Sequence, residues 1–353
     1  MYRVSGTLLR KITPPSSQQP RAKNFSNTLS VGGIIGLAAT SATVLATSTV
    51  VLCAQPGDPG VPDLVTELPS DLDLGKCDVK LYQFESCPFC RKARAVLDLA
   101  RIPYRVVEVN PLTKSETKSF ASDYKKVPIV VIEDTSTGRK YQVRDSKVII
   151  NAILRATKVS VGGSNSSTPF PIPAALNPET VLDAKAYEGM TIDEAWIKWV
   201  ESYLLQLVVV NIYGTMDESK ETFDYLLTHK NFGWVAKQAS YWAGSIVMNQ
   251  VARSRLKKFT SIQGHHKQAF FDACADLGKA AKSGGGFIGG SRPSSADLNA
   301  YGVIRSLEGT KSLRGAIAGG AGEEFKEWYA NMNATVGESQ AISKANTTKR
   351  GSQ

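Results

Sequence analysis

An α/β domain followed by an all-helical one, with a leader ahead of both, is the architecture this 353-residue sequence predicts. Three observations predict it. A Cys87-Pro88-Phe89-Cys90 motif lies between an apolar strand and a helical pattern. A Val127-Pro128 pair and an Asp145-Ser146 pair follow it where a strand and a helix begin. Beyond residue 190 the apolar positions recur at helical spacing with no strand signal between them.

In chain order, the leader comes first. Residues 1–57 carry Arg3, Arg10, Lys11, Arg21 and Lys23, many Ser and Thr, and no acidic residue before Asp58, the composition of an organellar transit segment. Residues 1–30 are therefore expected to be a targeting presequence. Val31 to Ala54 then runs 24 residues without a charge, long enough to span a bilayer, and 31–54 is expected to be a transmembrane anchor. The expected location is a membrane, mitochondrial in the first place, with Golgi or another endomembrane, or a plastid, as alternatives. Of the formal net charge of +10, five positive charges lie in this leader, and the +5 left over the remaining chain is no nucleic-acid footprint.

Residues 76–158 form the α/β domain. Val79 to Phe84 has the β-branched and aromatic content of a strand, and Arg91 to Leu99 has the apolar spacing of a helix. Tyr104 to Val109 reads as a second strand, and a Lys-rich helix is expected around Thr113 to Tyr124. Pro128 then opens the apolar strand Ile129 to Ile132, where its missing N–H costs one ladder donor at the first residue. Lys140 to Val143 is the last strand, and Asp145-Ser146 caps a helix from Lys147 to Leu154. This order, with the motif at a strand-to-helix junction, is thioredoxin-like, and in that fold the proline is cis.

The remainder is helical. Residues 159–190, rich in Ser, Gly and Pro, read as a linker. The domain 191–336 opens with Glu194 to Val210, where Trp196, Trp199, Tyr203, Leu204 and Leu207 share a stripe, and continues through Phe223–Leu227, Val235–Leu256 and Gln268–Lys282. Ser294, with Asp297 three residues later and an apolar run behind, is a capping box. The basic run Arg253, Arg255, Lys257, Lys258 reads as a solvated helix face that an anionic ligand could also meet. The polar tail 337–353 lacks the apolar content to fold.

The chemistry rests on the first motif. Cys87 falls at the start of a helix, where unpaired N–H groups and the helix dipole favour an anion, and Arg91 and Lys92 add positive charge. Such placement brings a thiol from about 8.5 down to roughly 3.5–7.5, so Cys87 is the expected nucleophile and Cys90 its resolving or supporting thiol. A zinc site would need a second ligand pair, and Cys53, Cys77, Cys274, His229, His265 and His266 are scattered, so no metal is expected. A structural Cys87–Cys90 disulfide is the remaining alternative. The Val127 backbone, freed by Pro128, suits pairing with an extended peptide-like ligand, and the helix start at Asp145-Ser146 suits a carboxylate. Together these residues describe a glutathione site.

Leu81 to Cys90, Pro103 to Pro111, Lys126 to Ile129 and Asp145-Ser146 resemble the membrane-associated prostaglandin E synthase type 2 family. Asn211 to Thr215, Phe223 to Tyr225, Phe287 to Gly290 and Ala296 to Arg305 are similar to that family's later segments. The resemblance implies a glutathione transferase-like helical domain. It also implies glutathione bound at Cys87, Val127, Pro128, Asp145 and Ser146, and glutathione-dependent isomerisation of a lipid endoperoxide, prostaglandin H2, to a hydroxy-ketone with Cys87 as the reactive thiol. Haem bound beside glutathione is a further implication, and a homodimer is open. Phe84 stands where the family has a tyrosine, and Gln206 lies in the segment where it has a histidine. A glutaredoxin-like thiol-disulfide oxidoreductase and a non-catalytic haem- or glutathione-binding module are the rival functions.

Overall fold

A computed structural model describes residues 60–162, 189–228, 233–258 and 265–342. All of them lie in a single compact unit, Leu52–Gln353. The expected presequence, the anchor and most of the linker fall outside the described residues. Among the described residues no helix is long and apolar enough to cross a membrane.

The α/β half contains β1 (Asp63–Leu64), β2 (Cys77–Gln83), α1 (Pro88–Leu99), β3 (Arg105–Glu108), β4 (Ile129–Asp134), β5 (Lys140–Arg144) and α2 (Ser146–Thr157). They build one mixed sheet in the order β1-β5-β4-β2-β3. The pair β2–β3 is parallel and the pairs β2–β4 and β4–β5 are antiparallel. Val79, Leu81, Val130, Ile132 and Val143 are buried against Ala93, Val96 and Leu97 of α1 and Ile149, Ile150 and Ile153 of α2. This is the thioredoxin-like arrangement. It also extends upstream of residue 76: β1 runs parallel to β5, and Gln142 donates through Nε2 to the Pro62 carbonyl at 2.7 Å.

The expected helix over 113–124 is not formed. The segment is a chain of turns, closed by Thr117 N–H to Lys114 O (3.1 Å), Ala121 N–H to Thr117 O (2.8 Å) and Tyr124 N–H to Ala121 O (3.1 Å). Asn110 captures the N–H groups of Leu112 and Thr113, and the Thr117 hydroxyl takes the Lys114 carbonyl at 3.2 Å. Short polar side chains here offer the backbone partners that a helix would otherwise have to supply.

The helical half comprises α3 (Ile192–Trp199), α4 (Leu205–Tyr213), α5 (Met216–Thr228), α6 (Trp234–Lys258), α7 (His266–Gly284), α8 (Ser295–Arg305), the short α9 (Lys311–Gly315) and α10 (Gly322–Val336). α3 and α4 are one run joined by a π turn at Val200–Leu204. All five residues of the expected stripe are buried there. α5 starts well before Phe223 because Thr215 and Glu218 cap it reciprocally, each side chain accepting the other's backbone N–H at 3.1 Å. Arg253 and Lys257 are exposed, whereas Arg255 turns back to donate to Gln206.

α8 packs across α1 at Gly302, where a Cβ would lie 2.5 Å from Lys92 Cα and 2.7 Å from its nitrogen. Only hydrogen fits between the two backbones. Gly302→Ala is therefore expected to cost about 1–3 kcal/mol by overpacking, despite alanine's better helix propensity. Urea unfolding checks it, and an unchanged midpoint would refute the close crossing.

The chain end also departs from expectation. Residues 337–342, read as the start of an unfolded tail, lie along β3. Tyr104 N–H donates to Gln340 O (3.2 Å), Ile342 N–H to Tyr104 O (2.8 Å) and Gln340 N–H to the Asp98 carboxylate (2.8 Å). Arg101 donates to the Val336 carbonyl at 2.8 Å. Each of these bonds engages the backbone of the returning segment or of Val336 just before it, which a reading of that segment's side-chain polarity does not reveal.

Candidate functional site

Sheet register assembles the site. Tyr82 pairs with Ile129, and Ile129 with Arg144, so the end of β2, the start of β4 and the end of β5 lie side by side. Just beyond these positions stand Cys87, Val127-Pro128 and Asp145-Ser146. The three motifs separated by up to 59 positions in the sequence thus meet at one end of the sheet.

Cys87 is the N-cap residue of α1 with Pro88 in the first turn, and it is half-buried beside the fully buried Cys90. The Cys90 thiol donates to Cys87, and the backbone N–H groups of Cys90 and Phe89 point at the same sulfur. These bonds outweigh burial and hold the Cys87 thiol below its ordinary range. Cys90 moves the opposite way, pushed well up by burial and by donating to Cys87. Elsewhere Cys77 is raised to about 11 and Cys274 is raised well above the usual thiol range, both chiefly by burial. Among the described cysteines, Cys87 alone is shifted toward thiolate.

The neighbouring cations contribute differently from the sequence expectation. Arg91 is engaged with the Glu85 carbonyl (3.1 Å) and the Glu308 carboxylate (3.2 Å). Lys92 is fully buried with its ammonium 3.5 Å from Glu201 on the π turn and 5.5 Å from the Phe89 ring centroid. Both tie α1 to the helical half. Hydrogen bonds, rather than adjacent cations, dominate the thiol's shift.

Val127–Pro128 is a cis peptide. Among the described residues no hydrogen bond outside the strands engages the Val127 N–H or carbonyl, so both are available to an extended ligand. Asp145 caps α2 by accepting from Lys147 N–H at 2.8 Å, with an unusual φ of 74°. Its carboxylate is exposed while Ser146 is buried. Tyr124 closes this side: the Asp145 N–H donates to its hydroxyl, and Arg144 stacks on its ring at 5.3 Å.

Sequence reading missed a second group of polar residues behind Cys87. Glu108, at the end of β3, is completely buried. Its carboxylate accepts from Gln83 Nε2 (3.0 Å), Glu85 N–H (2.8 Å) and the Tyr225 hydroxyl of α5. The Tyr225 hydroxyl also reaches Ser86, and Ser86 Oγ lies 3.4 Å from the Tyr213 hydroxyl of α4. The polar residue at an otherwise apolar strand end was the available signal. Burial pushes Glu108 up to about 7.

That shift carries a stability consequence. A carboxyl raised in the folded state favours folding when protonated, so its contribution is complete below the unfolded value near 4.5 and is lost as pH rises through about 7. Thermal unfolding should weaken from pH 5 to pH 8 by up to about 3 kcal/mol. Glu108→Gln should flatten that dependence, and an equally steep profile in the variant would exclude Glu108 as its source.

Haem finds no imidazole at Gln206, whose amide oxygen accepts from Arg255 and whose amide nitrogen donates to the Glu201 carbonyl at 3.5 Å. No group of three or more metal-ligating side chains is present among the described residues.

A mixed thioredoxin-like sheet, a thiol at the first helix and an all-helical second half define a protein of the glutathione transferase type, and the glutathione S-transferase N-terminal domain model matches residues 81–158. Prostaglandin E synthase 2 of Mus musculus is 30% identical over 285 residues, 75% of this chain and 72% of that protein. The Danio rerio protein of the same name is 32% identical over 287 residues, 74% and 72%. Glutaredoxin 1 of Rickettsia felis is 34% identical over 61 residues, 16% of this chain and 60% of that protein. The chain belongs to the prostaglandin E synthase 2 family.

Proposed function

We propose that the protein is a glutathione-dependent isomerase that converts a lipid endoperoxide of the prostaglandin H2 class to a hydroxy-ketone, with Cys87 as the reactive thiol. The observation that carries this reading is the downshifted, half-buried Cys87 beside the free Val127 backbone and the capped start of α2. Val127 would pair with the cysteinyl portion of glutathione, and the α2 N-terminus at Asp145-Ser146 would receive its γ-glutamyl carboxylate.

The chemistry balances without an oxidant. The Cys87 thiolate attacks one endoperoxide oxygen; an S–O bond forms, the O–O bond breaks, and the other oxygen departs as an alkoxide that takes a proton. A base then removes the hydrogen on the carbon bearing the sulfur-bound oxygen. The C–H pair becomes the carbonyl π bond, and the S–O pair returns to sulfur as thiolate. One proton is taken up and one released.

Thiol-disulfide exchange is the second reading, favoured by the contact between the Cys90 thiol and Cys87, which suits a dithiol cycle. Incubating the full chain with reduced glutathione and prostaglandin H2 separates the two. Prostaglandin E2 above the uncatalysed background supports isomerisation, whereas background product with turnover of a glutathione mixed disulfide supports exchange. The uncharged run 31–54 supports attachment to a membrane, mitochondrial in the first place. Release of the protein by alkaline carbonate would refute an integral anchor.

A further inference from the structure

The buried carboxylate of Glu108 sits behind the thiol and receives a hydroxyl from the helical half of the molecule. An ionised carboxylate in such a place needs every lone pair satisfied, and Glu108 has Gln83, Glu85 and Tyr225 as donors but no cation. Arg94 reaches Gln83 Oε1 at 2.6 Å, not the carboxylate. The groups around it are Gln83 from β2, Glu85 and Ser86 from the following turn, Cys87 and Cys90 at the start of α1 and Tyr225 from α5, with Arg94 held on Gln83 and Tyr213 on Ser86. The Glu85 charge also raises Glu108, and Cys87 is the nucleophilic group there that the Glu108 charge acts on.

We propose that Cys87 and Glu108 hold a single proton between them, with Tyr225 of the helical half fixing the carboxylate and reaching Ser86, the residue next to Cys87. This rests on the reading of Cys87 as the reactive thiol and adds the fate of its proton. Two anions in a water-poor site repel, and the charge of each raises the other's affinity for a proton. Passing the proton from sulfur to carboxylate keeps the net charge at minus one. Cys87–SH with Glu108–COO⁻ becomes Cys87–S⁻ with Glu108–COOH. The same proton then serves the departing alkoxide, or the departing thiolate in disulfide exchange, and Glu108–COO⁻ is restored. Tyr213, kept protonated by burial and by the Cys87 charge, closes the chain at its far end.

The test is the rate at which iodoacetamide captures Cys87 in the full chain between pH 5 and pH 9, read residue by residue by mass spectrometry. The wild type should rise in two steps, because ionisation of Glu108 pushes the remaining thiol up. Glu108→Gln should rise in one step, with a rate at pH 7 roughly three- to tenfold higher for want of the neighbouring charge. Tyr225→Phe removes a donor to the carboxylate and should keep two steps, the second moved to higher pH. Glu108→Asp should also keep two. A folded Glu108→Gln whose profile superposes on the wild type overturns the proposal. If Glu108→Gln does not fold, an unshifted Tyr225→Phe profile overturns it instead. A wild-type Cys87 captured at pH 7 no faster than Cys77 would overturn the reactive-thiol reading itself, and this inference with it.

Discussion

Under the proposed isomerase function, Cys87→Ser is expected to reduce prostaglandin E2 formation from prostaglandin H2 by at least roughly two orders of magnitude, the scale of loss when a nucleophile is removed. The expectation follows from the thiol's surroundings. Two backbone N–H groups and the Cys90 thiol converge on one sulfur, and a serine hydroxyl in their midst stays protonated at neutral pH. Replacement of Cys90 divides the roles further. Cys90→Ser keeps a donor toward Cys87 and should leave monothiol chemistry nearly intact while stopping a dithiol cycle. Cys90→Ala removes the donor and should lower the thiolate fraction at pH 7 several-fold. Glutathione binding and thermal unfolding must stay near wild type for these readings to hold. Full activity in Cys87→Ser would dismiss it as the nucleophile.

Asp297→Ala is expected to cost stability on a scale that few single substitutions reach. The carboxylate is buried and accepts from the backbone N–H groups of Ile288 (3.0 Å), Gly289 (3.1 Å) and Ser294 (2.9 Å), from the Ser294 hydroxyl (3.1 Å) and from the Trp328 indole (2.8 Å). It caps α8, holds the 288–289 turn and pins α10 at once. Each buried donor left without a partner costs about 1–3 kcal/mol, so a total near 4 kcal/mol or more is expected, a large share of a domain's usual 5–15. Urea unfolding measures it. Asp297→Asn keeps one acceptor and should lose about half as much. A loss below about 1 kcal/mol in the alanine variant would mean that water or a shift of α10 satisfies these groups.

Why the sequence revealed some of this and concealed the rest follows from the range of the interactions. The Cys87 motif, the cis Val127–Pro128 step and the Ser294–Asp297 box are local chemistry at known spacings, and each was legible residue by residue. The stripe from Trp196 to Leu207 was legible because it repeats. The helix expected over 113–124 failed because Asn110 and Thr117 compete for backbone groups in ways that helical periodicity does not register. Glu108, Tyr213 and Tyr225 were hidden for another reason: they come together only when α4 and α5 fold over the turn after β2, and no spacing along the chain encodes that meeting. β1 and residues 337–342 are held through their own main-chain groups, to which the side-chain patterns of those segments are blind.

The return of residues 337–342 to β3 has a consequence for how the molecule comes apart. The chain leaves the sheet at α2, builds eight described helices, and at residues 340–342 returns its backbone to Tyr104 and Asp98. Neither half can be lifted away without tearing that seam and uncovering the α1–α8 crossing. The two halves therefore form one unfolding unit: a single denaturation transition is the natural expectation, and the glutaredoxin-sized front portion has lost the independence that a free-standing redox domain enjoys.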